Sequence, residues 1–317
     1  MKKILFITDP LSTFNILSDT TYMFMLTAYE LGYQVSYALT KDIHIENNVA
    51  ITTSTVINIS KSINDTINAD DNWYKEEHSQ RLALNQFNYV FVRNDPPFDM
   101  EYFYLTQALS IAELNGAKII NNSFSLRNFN EKLSILNFPE LITSTLVSKN
   151  KAIINEFINK HKECVIKPLD LMAGRGVFKL DITDVNCDTI IENSTNHYTK
   201  TVMVQKFIPE VVHGDRRIFI VDGAVVDYCL YRIPQENQIR GNIAAGGIGV
   251  VHKIPSEDYN LAIKVAKWLK QQKIIFAGID VIGNKLTEIN ITSPTGARQI
   301  YQATKINIAK LVFDVLS

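Results

Sequence analysis

Short apolar runs alternate with helical patterns over the first 120 residues. Lys3–Thr8 reads as a buried strand, and Ser18 or Asp19 is placed to cap a helix that runs to Leu31 and ends at Gly32. Gln34–Leu39 and Tyr89–Arg93 supply further strands, Glu101–Leu114 a helix closed by Asn115-Gly116, and Lys118–Asn121 a fourth strand. Residues 41–80 are polar and poorly periodic, and read as an elaborated connection. Strands alternating with helices of this length predict a parallel sheet wrapped on both faces.

From Ser123 the rhythm changes. A helix over about Ser125–Leu136 leads to a strand at Leu141–Val147, a helix at Lys151–His161 and a strand at Cys164–Pro168. Strands follow at Thr201–Ile208, Arg216–Val221 and Ala224–Tyr231, the last two joined by the hairpin signal Asp222-Gly223. The stretch Pro234–Gly249, rich in Gly and Asn, is not expected to form a packed core of its own, so it reads as either mobile or ordered by a ligand. A helix around Glu257–Lys273, strands at Ile275–Ile282 and Lys285–Ile291, and one final helix near Ala297–Val315 complete the pattern. The expected division is an N-terminal α/β domain over 1–122 and a second domain over 123–317.

Composition narrows the function. The 317 residues contain 46% hydrophobic and 21% charged positions, an ordinary globular mixture. Thirty-two basic residues nearly cancel 33 acidic ones, so no surplus exists to neutralise a nucleic-acid backbone. Cys164, Cys187 and Cys229 are odd in number and form no CxxC pair, which argues for reduced, packed thiols. No stretch is long and apolar enough for a signal core or a membrane span, and the expected location is the cytoplasm.

The segment FAGIDVIGNKLTEINITSPT (276–295) carries the most chemistry. With Gly283-Asn284-Lys285 as a three-residue hairpin loop, Asp280 stands opposite Glu288 and Asn290 follows on the same face. The other face, with Ile279, Val281, Ile289 and Ile291, suits the core. Opposed carboxylates repel, and a divalent cation removes that penalty, although the same residues also suit a solvated face. In VIKPLDLMAGRGVFKL (165–180), Lys167 ends a strand while Gly174 and Gly176 punctuate a loop that can approach phosphate or merely turn a hairpin. Lys132, Arg217, Arg232 and Arg240 are cations near apolar strands. Gln205, Lys206, Phe207 and Ile208 close a strand whose edge can receive adenine, with Asp215 a nearby carboxylate that can bind ribose hydroxyls; the same residues equally read as a strand end plus a turn. The six histidines are dispersed, and neither HExxH, GxSxG nor a Walker A sequence is present.

These pieces occur in the order seen in ATP-grasp ligases. At closer range the chain resembles the bacterial glutathione synthetase family through DPLSTFNILSDT (9–20), RNDPPFD (93–99), SLRNFNEKL (125–133), IKPLD (166–170), GDRRIFIVDG (214–223), YRIPQ (231–235), RGNIAAGG (240–247) and GIDVIGNKLTEINITSPT (278–295). The resemblance implies an ATP-grasp fold preceded by an N-terminal parallel-sheet domain. It implies that Lys132, Lys167, Gly174 and Gly176 meet nucleotide phosphates, that Gln205 to Ile208 form the adenine edge, and that Asp215 meets ribose. Asp280, Glu288 and Asn290 would hold Mg²⁺, with Mn²⁺ as its substitute, while Arg217, Arg232 and Arg240 would neutralise phosphate and substrate carboxylates. Pro234–Gly249 looks like the family's lid.

The implied activity is ATP-dependent ligation of γ-glutamylcysteine and glycine through an acylphosphate, in a cytoplasmic homo-oligomer with no nucleic-acid or membrane partner. Another ATP-grasp carboxylate–amine ligase, or a nucleotide-binding descendant without activity, are the alternatives. The chain departs from the family pattern at Leu171 and Ala173, where glycines are usual, at Asn94 for lysine, at Ile248 for arginine and at Gly296 for cysteine.

Overall fold

A computed structural model of the chain describes residues 2–65, 68, 72–94, 97–172, 174–235 and 247–317. Its N-terminal half holds β1 (Lys3–Ile7), α1 (Thr20–Glu30), β2 (Gln34–Ala38), β3 (Ile43–Glu46), β4 (Val49–Ile59), β5 (Tyr74–Ala83), β6 (Tyr89–Val92), α2 (Met100–Leu114), β7 (Ile119–Ile120) and α3 (Ser123–Asn128). The Asp19 carboxylate accepts from Tyr22 N and Asp99 from Tyr102 N, so each long helix starts at a side-chain cap.

The sheet in this half is mixed, not wholly parallel. Strands β2, β1, β6 and β7 run parallel, while β3, β4 and β5 extend it antiparallel from β2. The supposed connection over 41–80 is therefore largely strand. In β4 the inward positions Ala50, Thr52, Ser54 and Val56 are all buried, and two of them are hydroxyl residues, so counting apolar residues misses a genuine alternation.

Two further sheets follow. The strands are β8 (Thr145–Ser148), β9 (Glu163–Pro168), β10 (Phe178–Asp181), β11 (Val202–Lys206), β12 (Asp215–Val221), β13 (Ala224–Ile233), β14 (Ile248–Lys253), β15 (Phe276–Ile282) and β16 (Lys285–Asn290). The helices are α4 (Lys151–His161), α5 (Cys187–Ser194), α6 (Ser256–Gln271), α7 (Ala297–Thr304) and α8 (Ile308–Leu316). A four-stranded sheet has the order β10-β9-β11-β8, and a five-stranded one β14-β13-β12-β15-β16.

Two helical expectations are corrected. The helix expected at 125–136 splits into α3 and a 3-10 turn over Leu133–Asn137, because the Asn130 side chain accepts from Lys132 N and Leu133 N at 3.0 Å each. The final helix breaks at Lys305, whose φ is 65°, and Asn307 caps α8 by accepting from Lys310 N. Helix α5 has no counterpart in the sequence reading. Helix α8 packs back on the first sheet, where Phe24, Phe91 and Phe313 meet with ring centroids 5.5–6.2 Å apart. The first and third sheets thus share one core.

Candidate active site

The polar grid on the third sheet follows from strand register. Asp215 pairs with Arg232, Arg217 with Asp280, and Asp280 with Glu288, so five charged side chains share one face. The hairpin differs from expectation in one respect: Ile282 pairs with Lys285, leaving a two-residue loop, Gly283-Asn284. A bulge between Asp280 and Val281 then takes up Thr287 and restores Asp280 opposite Glu288. The Thr287 hydroxyl donates to Asp280 O at 3.1 Å. Leu286 is consequently core while Glu288 stays half-buried on the polar face.

Arg217 grips Asp280 with two parallel bonds, Nε to Oδ1 at 2.5 Å and Nη2 to Oδ2 at 2.9 Å. Arg232 does the same to Asp215 at 2.7 and 2.6 Å, and its Nη2 lies 2.8 Å from Asp280 Oδ2. Burial opposes ionisation of Asp280, but Arg217 and Arg232 outweigh it and hold the carboxyl well below the usual range. Burial pushes the Asp215 carboxyl up, against the pull of Arg232. The two arginines are each only 4% exposed. Each therefore has carboxylate partners within the protein itself, which the sequence reading did not identify.

Between the second and third sheets lies a cleft of about 780 Å³ including its open mouth, within the range of ligand sites. Lys167, Gly174, Gln205, Lys206, Phe207, Ile208 and Asp215 line it, together with Asp280 and Glu288. Lys167 sits on β9 at a position paired with Met203; burial lowers its pKa, with Glu288 pulling the other way. Gly174 and Gly176 have φ of 70° and 69°, and a Cβ on Gly176 would stand 3.0 Å from Pro168 Cγ. Gln205 Nε2 donates to Thr145 Oγ1 at 3.0 Å, which fixes the strand's end against β8.

Lys132 lines an adjoining hollow with Phe98, Tyr102, Glu131 and Leu171, and its Nζ donates to Leu171 O at 2.5 Å. Asn290 Nδ2 donates to Gly278 O at 3.1 Å and lies 3.3 Å from Asp280 Oδ2. Among the described residues no three His, Cys, Asp or Glu form a metal cluster. Asp280, Glu288 and Asn290, expected from sequence to hold a cation, put two carboxylates and an amide on one face, a donor set compatible with a cation that retains water and phosphate oxygens. Arg240 and most of the lid stretch, residues 236–246, lie outside the described residues.

Sequence reasoning missed Glu131. Its backbone O accepts from Ile289 N at 2.9 Å, and its carboxylate accepts from Ile291 N and Thr292 N at 3.2 Å each. Burial and then Glu288 raise its pKa. The available signal was its place beside Lys132 in the motif 125–133. Thr287 was missed because a bulge leaves no mark in a hydrophobic pattern.

Solved ATP-grasp ligases share this architecture. D-cycloserine synthetase DcsG superposes with a TM-score of 0.65 at 12% identity over 99% of this chain and 100% of its own. ATP-grasp ligase PsnB, solved with a phosphomimetic variant of its minimal precursor, Mg and ADP, gives 0.62 at 14% over 100% and 98%. The fold is the one that these ATP-grasp ligases share.

Family models resolve the group further. "Prokaryotic glutathione synthetase, N-terminal domain" matches residues 2–127 and "Prokaryotic glutathione synthetase, ATP-grasp domain" matches 131–305. Glutathione synthetases of Neisseria meningitidis serogroup B and Vibrio parahaemolyticus are each 40% identical, covering 100% of this chain and 98% of theirs. The chain belongs to the prokaryotic glutathione synthetase family.

Proposed function

We propose that this protein joins γ-glutamylcysteine to glycine with cleavage of ATP, giving glutathione. The observation that carries this reading is the cleft: nine of the residues singled out from sequence line one space between two sheets, in a chain with full-length relatives named glutathione synthetase. Fold alone would leave the chemistry open.

In the reaction, a carboxylate oxygen of the cysteinyl residue attacks the γ-phosphorus of ATP and ADP departs, leaving an acylphosphate. The amine of glycine, having lost a proton, attacks the acyl carbon; the C–N bond forms as the C–O bond to phosphate breaks. Activation is needed because a carboxylate anion is a poor electrophile and oxide a poor leaving group. Lys167 and Lys132 supply positive charge where the phosphates lie, and the Phe207–Ile208 edge receives the base. Arg217 and Arg232 hold Asp280 ionised, and Arg232 fixes Asp215 in orientation. Asp280, Glu288 and Asn290 would hold Mg²⁺, or Mn²⁺ in its place, whose chemistry is to offset charge on the transferring phosphoryl group. The stretch 234–249 serves as a lid against water.

The reading also places the protein in the cytoplasm as a homo-oligomer. Its cysteines are unpaired, and no described helix is long and apolar enough to cross a membrane. Mass analysis of products from ATP, Mg²⁺, γ-glutamylcysteine and glycine tests the reaction. Glutathione and ADP in equal amounts are expected; ATP left intact under those conditions sinks it.

A further inference from the structure

The cleft gives the second and third sheets their role and leaves the outer side of α2 without one. Toward the first sheet this helix buries Tyr102, Leu105, Ala108, Leu109 and Ala112. Its outward side is apolar too: Met100 and Tyr104 are each 57% exposed and Leu114 is 83% exposed, with Phe103, Ser110 and Ile111 half-buried and Gln107 exposed. The 15 residues include no lysine or arginine. Helices α4 and α6, by contrast, turn Lys151, Glu156 and Lys160, and Lys264, Lys267 and Lys270, to solvent. A helix that is apolar on both sides is one that is covered on both sides.

With about 100° of turn per residue, Met100, Phe103, Tyr104, Ser110, Ile111 and Leu114 all fall within about 60° of Gln107, in one stripe. The carboxylates of Glu101 and Glu113 lie about 120° to either side of it, and Glu113 accepts from Ser123 N at 3.2 Å. The stripe is its own complement. Laid antiparallel on a second copy with Gln107 against Gln107, it brings Met100 level with Leu114, and the large pair Phe103–Tyr104 level with the smaller pair Ser110–Ile111. The Ser110 hydroxyl stays bound within its own chain, to Ser123 Oγ at 2.8 Å and Arg127 Nη1 at 2.9 Å. A two-fold contact demands such reciprocity, because residue i must meet j while j meets i. A single polar residue within an apolar seam fixes register and helix number, and two facing amides each donate and accept.

We propose that the outer side of α2 is a two-fold interface between copies of this chain, packed antiparallel about Gln107. The inference goes beyond the reaction proposed above, since it names the place where a homo-oligomer makes contact. A lipid surface is a poorer match: interfacial helices carry Lys or Arg beside their apolar side, and the charged residues of α2 are carboxylates alone. No residue of the stripe lines the cleft.

Native mass spectrometry and sedimentation velocity on the full chain test this. The wild type is expected to be a dimer or a higher even assembly. Gln107→Glu and Gln107→Lys each set like charges against one another on the two-fold, and each should raise the dissociation constant of this contact at least about 100-fold, halving the assembly. Mixed in equal amounts, the two variants should recombine as a heterodimer, because the swap turns repulsion into attraction only at a position that meets itself. Leu114→Glu, away from the two-fold, should weaken the contact as well. Both positions are exposed, so the unfolding midpoint of each variant should match that of its wild-type subunit. A monomeric wild type overturns the proposal, and its flotation with anionic vesicles would give this side of α2 to lipid. Gln107 variants that assemble like the wild type overturn it, and so do variants that dissociate singly but fail to recombine. Glutathione formation enters none of these readouts, so the loss of the proposed reaction would leave the interface standing.

Discussion

Arg217 and Asp280 face each other across β12 and β15 and are joined by two hydrogen bonds of 2.5 and 2.9 Å, with both side chains almost wholly buried. Asp280 also meets Arg232, so one carboxylate orders two guanidinium groups. Its neutralisation leaves buried cations short of a counter-charge, a change that costs about 3–5 kcal/mol when one partner of a buried pair is removed. Asp280→Asn should therefore lose roughly 3 kcal/mol of unfolding free energy together with ADP release.

The pH dependence of that loss follows from the direction of the shift. Burial alone would raise the Asp280 pKa, but Arg217 and Arg232 hold it below the unfolded value of about 3.9. A depressed carboxyl contributes stability above its unfolded pKa and loses it as pH falls through the folded value. Denaturant titrations of wild type and Asp280→Asn should differ by a constant amount from pH 5 to 8 and converge only in stronger acid. A gap that closes already near pH 6 would contradict the pairing.

Lys167 poses the opposite case. Its burial lowers the pKa, so the charged form is held at a cost in the absence of nucleotide. Lys167→Met keeps the side chain's length and removes the charge. Nucleotide affinity should fall by about 10- to 100-fold, while the melting temperature without nucleotide does not fall. Unchanged ATP binding by calorimetry would take Lys167 out of the phosphate site.

Glu131 gives a third test. Its folded pKa is raised by burial and by Glu288, so the ionised form costs stability that is absent below the unfolded value of about 4.3 and grows as pH rises through the folded one. Glu131→Gln retains an acceptor for Ile291 N and Thr292 N. Its melting temperature relative to wild type should be more favourable at pH 8 than at pH 4.5. A difference independent of pH would mean that the carboxyl is not held in a charge-averse place.

Much of this site is legible in sequence because a strand's two-residue period puts Glu288 and Asn290 on one face, and a short hairpin brings Asp280 opposite them. Reading the loop as three residues still gave the right opposition of Asp280 and Glu288, since the Thr287 bulge offsets the shorter turn. The partners of Arg217 and Arg232 were not legible, because Asp215–Arg232 and Arg217–Asp280 depend on the register of strands distant in sequence. Strand β4 was hidden by Thr52 and Ser54 on its inward face, and β3 and β5 by leaving most of their side chains exposed.

Gly296 is the departure from the family pattern on which the geometry bears most directly. It precedes α7 with φ of +110°, and a Cβ there would stand 2.8 Å from Leu230 Cδ2, with Phe219 and Arg217 atoms at 3.7 and 3.8 Å. A cysteine at this place meets two obstacles, a backbone region that side chains avoid and a collision with the packed Leu230. Gly296→Cys should therefore cost about 1–3 kcal/mol, the range for backbone strain and overpacking. Truncating Leu230 removes the collision and leaves the strain. In a double-mutant cycle with Leu230→Ala, the combined loss should be smaller than the sum of the single losses by at least about 0.5 kcal/mol. Strict additivity, measured by denaturant unfolding, would show that the cysteine finds room elsewhere and that Leu230 does not set the residue at 296.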